Sequence, residues 1–61
     1  MQNGDVVRIS GEVKYGDTWY RVSSPGVIMS AGKSKSLVNI SEIDGDENVQ
    51  IFVENKYIKT N

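Results

Sequence analysis

The sequence predicts an all-β protein: one domain over residues 1–61, built as a small closed or half-open barrel of five or six short antiparallel strands. Three observations predict it. Apolar residues recur with a period of two in most segments, and Gly, Pro and Asp turn signals separate those segments at short intervals. No window carries the apolar stripe of an amphipathic helix of about ten residues or more. Five or six strands are too few for two full sheets, which leaves a barrel as the way to enclose a core.

The elements follow in order. Asp5–Ser10 reads as the first strand, with Val7 and Ile9 inward and Arg8 outward, ended by Gly11. Gly11–Gly16 reads as a polar link containing Tyr15, and Gly16-Asp17 as a turn that makes a hairpin with the next strand. That strand, Gly16–Ser24, holds the only tryptophan and alternates strictly. Thr18, Tyr20 and Val22 fall on one face, and Trp19, Arg21 and Ser23 on the other. At Ser23–Gly26 the strand is expected to end or bulge, because Pro25 lacks an amide donor and Gly26 is read as supplying a positive φ. Val27-Ile28-Met29 is then an edge strand or a continuation past that bulge, and Ser30–Ser36 a small, basic, mobile loop.

Leu37–Ile43 resumes a strand. Asp44-Gly45 between apolar runs predicts a type I′ hairpin turn, whose two central residues need positive φ. Val49, Ile51 and Val53 share one face of the next strand, with Gln50 and Phe52 on the other, and Glu54–Tyr57 makes one tight helical turn before Ile58–Thr60.

Composition narrows the function classes. With 38% hydrophobic and 25% charged residues the chain has the make-up of a folded domain, and at 61 residues its core is small. It contains no cysteine and no histidine, so there is no disulfide, no thiolate or imidazole metal ligand and no histidine base for a nucleophilic serine. Neither a catalytic centre nor a metal or other cofactor is expected. Ala31-Gly32-Lys33-Ser34 lacks the preceding glycine of a phosphate-binding loop. Glu42, Asp44, Asp46 and Glu47 lack the ligand ladder of a calcium loop and read as a solvated turn. No apolar run approaches the length of a leader or a membrane span, so a cytoplasmic protein is expected. Its size suits an accessory protein of a phage or other mobile element.

The net charge of −1 is uneven: residues 1–38 carry +2 and residues 39–61 carry −3.

Three segments, in order, resemble the Src-homology 3 (SH3) family of small barrels. They are Gly4-Asp5 ahead of a Val-x-Ile strand, Asp17-Thr18-Trp19-Tyr20-Arg21-Val22, and Phe52-Val53-Glu54-Asn55-Lys56-Tyr57-Ile58. The resemblance implies an SH3-like barrel with a short 3₁₀ turn before its last strand, and a peptide groove using Trp19 and Tyr57 with Asn55 as a polar contact. The chain departs from the family in having Val53 at a usual groove proline, no counterpart before Gly4 to the family's leading strand with its paired tyrosines and long acidic loop, and a stretch over residues 26–48 longer than the usual hairpin between those motifs. Leu37–Ile43 has the same apolar spacing as Phe52–Ile58, which leaves two candidates for the closing turn. A fainter similarity joins Val49-Gln50-Ile51-Phe52 to the Val-Gln-Ile-Tyr pore strand of the small plasmid-borne dihydrofolate reductases. Here Phe52 replaces the tyrosine, and Ile9 stands near that family's lysine.

These readings define the expected sites. The principal one is a non-enzymatic module that binds a protein or peptide through an exposed aromatic patch of Tyr15, Trp19, Asn55 and Tyr57. The alternatives are a nucleic-acid-binding barrel using Arg8, Arg21, Lys33 and Lys35, opposed by the acidic pI of about 5.1, and an oligomeric pore reductase. Self-association into a homo-oligomer is consistent with a core this small.

Overall fold

The computed structural model describes residues 1–60. Five antiparallel strands form one sheet: β1 (Val6–Tyr15), β2 (Thr18–Ser30), β3 (Lys35–Ile43), β4 (Asp46–Glu54) and β5 (Ile58–Thr60). A single 3₁₀ turn, Asn55–Tyr57, lies between β4 and β5. The sheet order is β4-β3-β2-β1-β5, so the first four strands form a meander and the last returns to pair with the first. No ladder joins β4 to β5, and the sheet is not closed.

Alternation sets what each strand buries. Val7, Ile9 and Val13 from β1, Val22 and Ile28 from β2, Val38, Ile40 and Ile43 from β3, and Val53 from β4 form one core cluster. All nine are β-branched, a side-chain shape that suits a pleated surface and loses little rotamer freedom there. Tyr15, Tyr20, Val49, Ile51, Tyr57 and Ile58 pack partly buried around it. The expected faces hold throughout. Val7 and Ile9 are buried with Arg8 exposed; Tyr20 and Val22 turn inward while Trp19 and Arg21 turn out; Val53 is buried and Phe52 exposed.

The two tight turns obey their sequences. Asp44 and Gly45 both have positive φ, 49° and 82°, as a type I′ turn requires, and Ile43 pairs with Asp46 across it. At the first hairpin only Gly16 is positive (φ 64°), the pattern of a type II′ turn, and Tyr15 pairs with Thr18. The 3₁₀ turn falls in Phe52–Ile58, while Leu37–Ile43 is uninterrupted strand.

Four expectations fail. β1 continues through Gly11 to Tyr15 instead of ending there, so the supposed polar link is strand. Gly11 is in place because the Tyr57 ring occupies the volume a Cβ would need. β2 runs without a break through Ser23–Gly26, and its one irregularity against β3 lies between Ile28 and Ser30. Counting from the turn-closing Tyr15·Thr18 pair, pairs alternate between hydrogen-bonded and not, and Arg8·Pro25 is of the second kind. The Pro25 nitrogen thus points away from β1, toward the flank where β3 begins to pair only at Gly26·Ile40. Gly26 has no positive φ. It is buried, and a Cβ there would come within 2.9 Å of Val38 Cγ1 and 3.1 Å of the Asn39 carbonyl. The expected Ser30–Ser36 loop shrinks to residues 31–34, since β2 reaches Ser30 and β3 begins at Lys35.

Candidate aromatic groove

The exposed side of the sheet carries the site. Trp19 and Phe52 are each about three-fifths exposed, at 59% and 60%, and both line one groove of about 300 Å³ with Glu12, Lys14, Lys35 and Glu54. Their positions follow from the pleat. Trp19 opens β2 opposite Lys14 in a non-hydrogen-bonded pair, where side chains on one face approach most closely, and Phe52 stands opposite Leu37. Lys35 places its ammonium 5.4 Å from the centre of the Phe52 ring, close enough for attraction to the π face. The groove therefore joins two hairpins distant in sequence, β1–β2 and β3–β4, at the side of the sheet that no ladder closes.

A second groove, of about 420 Å³, lies alongside and shares Glu12 with the first. Gly11 and Tyr57 lie in it, and Ser10, Arg21 and Ser23 line its other sides. Arg21 stands opposite Glu12, with 3.8 Å between guanidinium and carboxylate, an exposed pair worth little in stability. Arg8 reaches the same wall by donating to the Ser23 hydroxyl at 2.9 Å. Lys56 holds its ammonium 5.2 Å from the Tyr57 ring centre.

The four residues expected to form one peptide patch are thus distributed over four places. Trp19 lines the first groove and Tyr57 the second. Tyr15 is partly buried, with its ring centre 6.3 Å from that of Tyr20, and its hydroxyl donates to the Asp46 carboxylate, while Tyr20 donates to Asp44 at 3.0 Å. These bonds tie the β1–β2 hairpin to the acidic β3–β4 turn. Both phenols are held above their ordinary pKa, first by the hydrogen bond to the partner carboxylate and then by desolvation, because ionisation would set a phenolate against a carboxylate.

Asn55 is committed within the fold. Its amide donates to the carbonyls of Gly32 (2.9 Å) and Lys33 (3.1 Å), and its Oδ1 accepts from the Ser36 hydroxyl at 2.7 Å. Ser36, only 1% exposed, in turn accepts the Gly32 amide at 3.1 Å. The cations of the nucleic-acid alternative divide as well. Arg8 and Arg21 flank the second groove and Lys35 lines the first, whereas Lys33 sits in the loop that Asn55 holds.

Phe52 is the residue that sequence reasoning missed. Its signal was present, since a phenylalanine alternating out of phase with Val49, Ile51 and Val53 must face solvent or a partner. No family model matches the chain, and no curated protein and no solved structure is significantly similar to it.

Proposed function

We propose that this protein is a non-enzymatic binding module that holds a protein or peptide segment in the Trp19–Phe52 groove, on a half-open SH3-like barrel. The barrel reading draws support from the meander of four strands, the 3₁₀ turn after it, and the return of the last strand to the first. One observation carries the functional reading: the two most exposed aromatic rings, from strands more than thirty residues apart, meet at a single groove. Large aromatic rings displayed to water bring contact area at low entropic cost and are the preferred anchors of interfaces.

The test is selection of a displayed library of random peptides, roughly 12 residues long, on the folded protein, with Trp19 emission as the readout for the parent and the anisotropy of labelled copies of the selected peptides as the readout for parent and variants. Selected peptides should shift that emission, and Trp19→Ala or Phe52→Ala should weaken them at least tenfold, the loss typical of an interface anchor. Both side chains are exposed, so stability should stay within about 0.5 kcal/mol of the parent. Peptides that bind the Trp19→Ala/Phe52→Ala protein as well as the parent would refute the assignment.

A further inference from the structure

Charge along the chain suggests a basic front half and an acidic back half, but the fold redistributes it. Lys59, from the acidic back half, pairs directly with Arg8 across β5 and β1, two cations opposite one another. Like charges in that position destabilise a sheet, and among the described residues neither cation forms an ion pair. Arg8 is fixed to Ser23 on the wall of the second groove, Arg21 lines it, and Lys56 sits over its Tyr57 ring. Arg21 thus lines the groove, Arg8 and Lys56 touch its wall residues Ser23 and Tyr57, and Lys59 stands opposite Arg8, which brings four of the seven cations to this part of the sheet. The single carboxylate among them, Glu12, faces Arg21. The acidic residues Glu42, Asp44, Asp46 and Glu47 lie instead at the β3–β4 turn, where Asp44 and Asp46 receive the Tyr20 and Tyr15 hydroxyls.

We propose that the partner segment is acidic: it sets an Asp or Glu carboxylate beside Arg8, Arg21, Lys56 and Lys59 while its apolar side chains fill the Trp19–Phe52 groove. This inference rests on the peptide-binding reading above and specifies its ligand. The two grooves meet at Glu12, so one extended segment crosses both. A peptide suits this surface better than a nucleic-acid strand. Glu12 and Glu54 line the aromatic groove, and a strand carrying a phosphate at every step would meet them, whereas a peptide places its charges sparsely. Tyr57 offers no free stacking plate, since Gly11 abuts its ring and Lys56 stands over it.

The peptide selection described above decides the matter, with synthetic copies of the selected sequences then measured at low and high salt. The expected result is enrichment of Asp and Glu at a fixed spacing from an apolar residue, with affinity falling as salt rises. Arg8→Gln, Arg21→Gln and Lys59→Gln should each weaken binding about two- to fivefold, the range of one exposed ion pair. Lys59→Gln should at the same time raise the urea midpoint, because it relieves the repulsion with Arg8, a combination that loss of folding cannot produce. Selected peptides that need Trp19 and Phe52 but lack acidic residues would overturn the acidic-partner proposal and leave the binding module standing. Recovery of no peptide dependent on Trp19 or Phe52 would overturn both. Tighter binding of a labelled thymidine oligonucleotide than of any selected peptide would overturn the proposal in favour of nucleic acid.

Discussion

Replacing Asn55 by Ala tests whether this side chain is a strut of the fold. The substitution removes two amide donors to the Gly32 and Lys33 carbonyls and the acceptor of the Ser36 hydroxyl. The two carbonyls lie in an exposed loop and regain water, so each lost bond costs about 0.5–1 kcal/mol. Ser36 is different: at 1% exposure its hydroxyl cannot reach water, and an unsatisfied buried donor costs about 1–3 kcal/mol. The total is about 2–5 kcal/mol, a large share of the roughly 3–9 kcal/mol that a domain of this length commands. Urea unfolding followed by circular dichroism measures it. Ser36→Ala removes the buried donor together with its need, gives up the bonds to the Asn55 oxygen and from the amide of exposed Gly32, and should cost about 1–2 kcal/mol. The double variant should therefore be less destabilised than the two single changes predict together, by about 1 kcal/mol or more. An Asn55→Ala protein within about 0.5 kcal/mol of the parent, or strict additivity, would refute the reasoning. Weakened peptide binding at unchanged stability would make Asn55 a ligand contact instead.

Other outcomes follow from the same contacts. Gly11→Ala should cost about 1–3 kcal/mol by driving a methyl group into the Tyr57 ring, and less in a Tyr57→Ala background, where only the cost of its φ of 158° remains; equal costs in both backgrounds would contradict this packing. Ile40→Ala, at a site with no exposure, should cost about 2–5 kcal/mol, as read from the urea midpoint by circular dichroism. The phenols of Tyr15 and Tyr20 titrate above their ordinary value in the folded state, so the folded protein holds those protons longer than the unfolded chain does. Their contribution is complete below pH about 10 and is lost as pH rises through the folded values. The urea midpoint should accordingly fall above pH 10 more steeply for the parent than for Tyr15→Phe/Tyr20→Phe, and parallel curves would show that the phenols are not coupled to the acidic turn.

Much of the architecture is local in origin and was therefore legible. Asp44-Gly45 and Gly16-Asp17 dictate their turns because few residues tolerate the backbone angles those turns need, whatever surrounds them. The inward and outward sides of Val7–Ile9, Trp19–Val22 and Val49–Val53 follow from the pleat once an apolar face must be buried. What the tertiary structure decided concerns residues far apart in the chain. Pro25 is tolerated in mid-strand because β3 does not pair with β2 at that point, a fact of register invisible in the Ser-Ser-Pro-Gly string. Trp19 meets Phe52 only because the sheet brings β4 toward the β1–β2 hairpin, and Asn55 reaches Ser36 only because the 3₁₀ turn lands on the β2–β3 loop. Lys59 joins Arg8 through the return of β5, against the charge balance of the segment that carries it. Alternation and turn chemistry act over a few residues and are written in the sequence itself, whereas curvature and strand order are collective, and they alone determined which exposed side chains became neighbours.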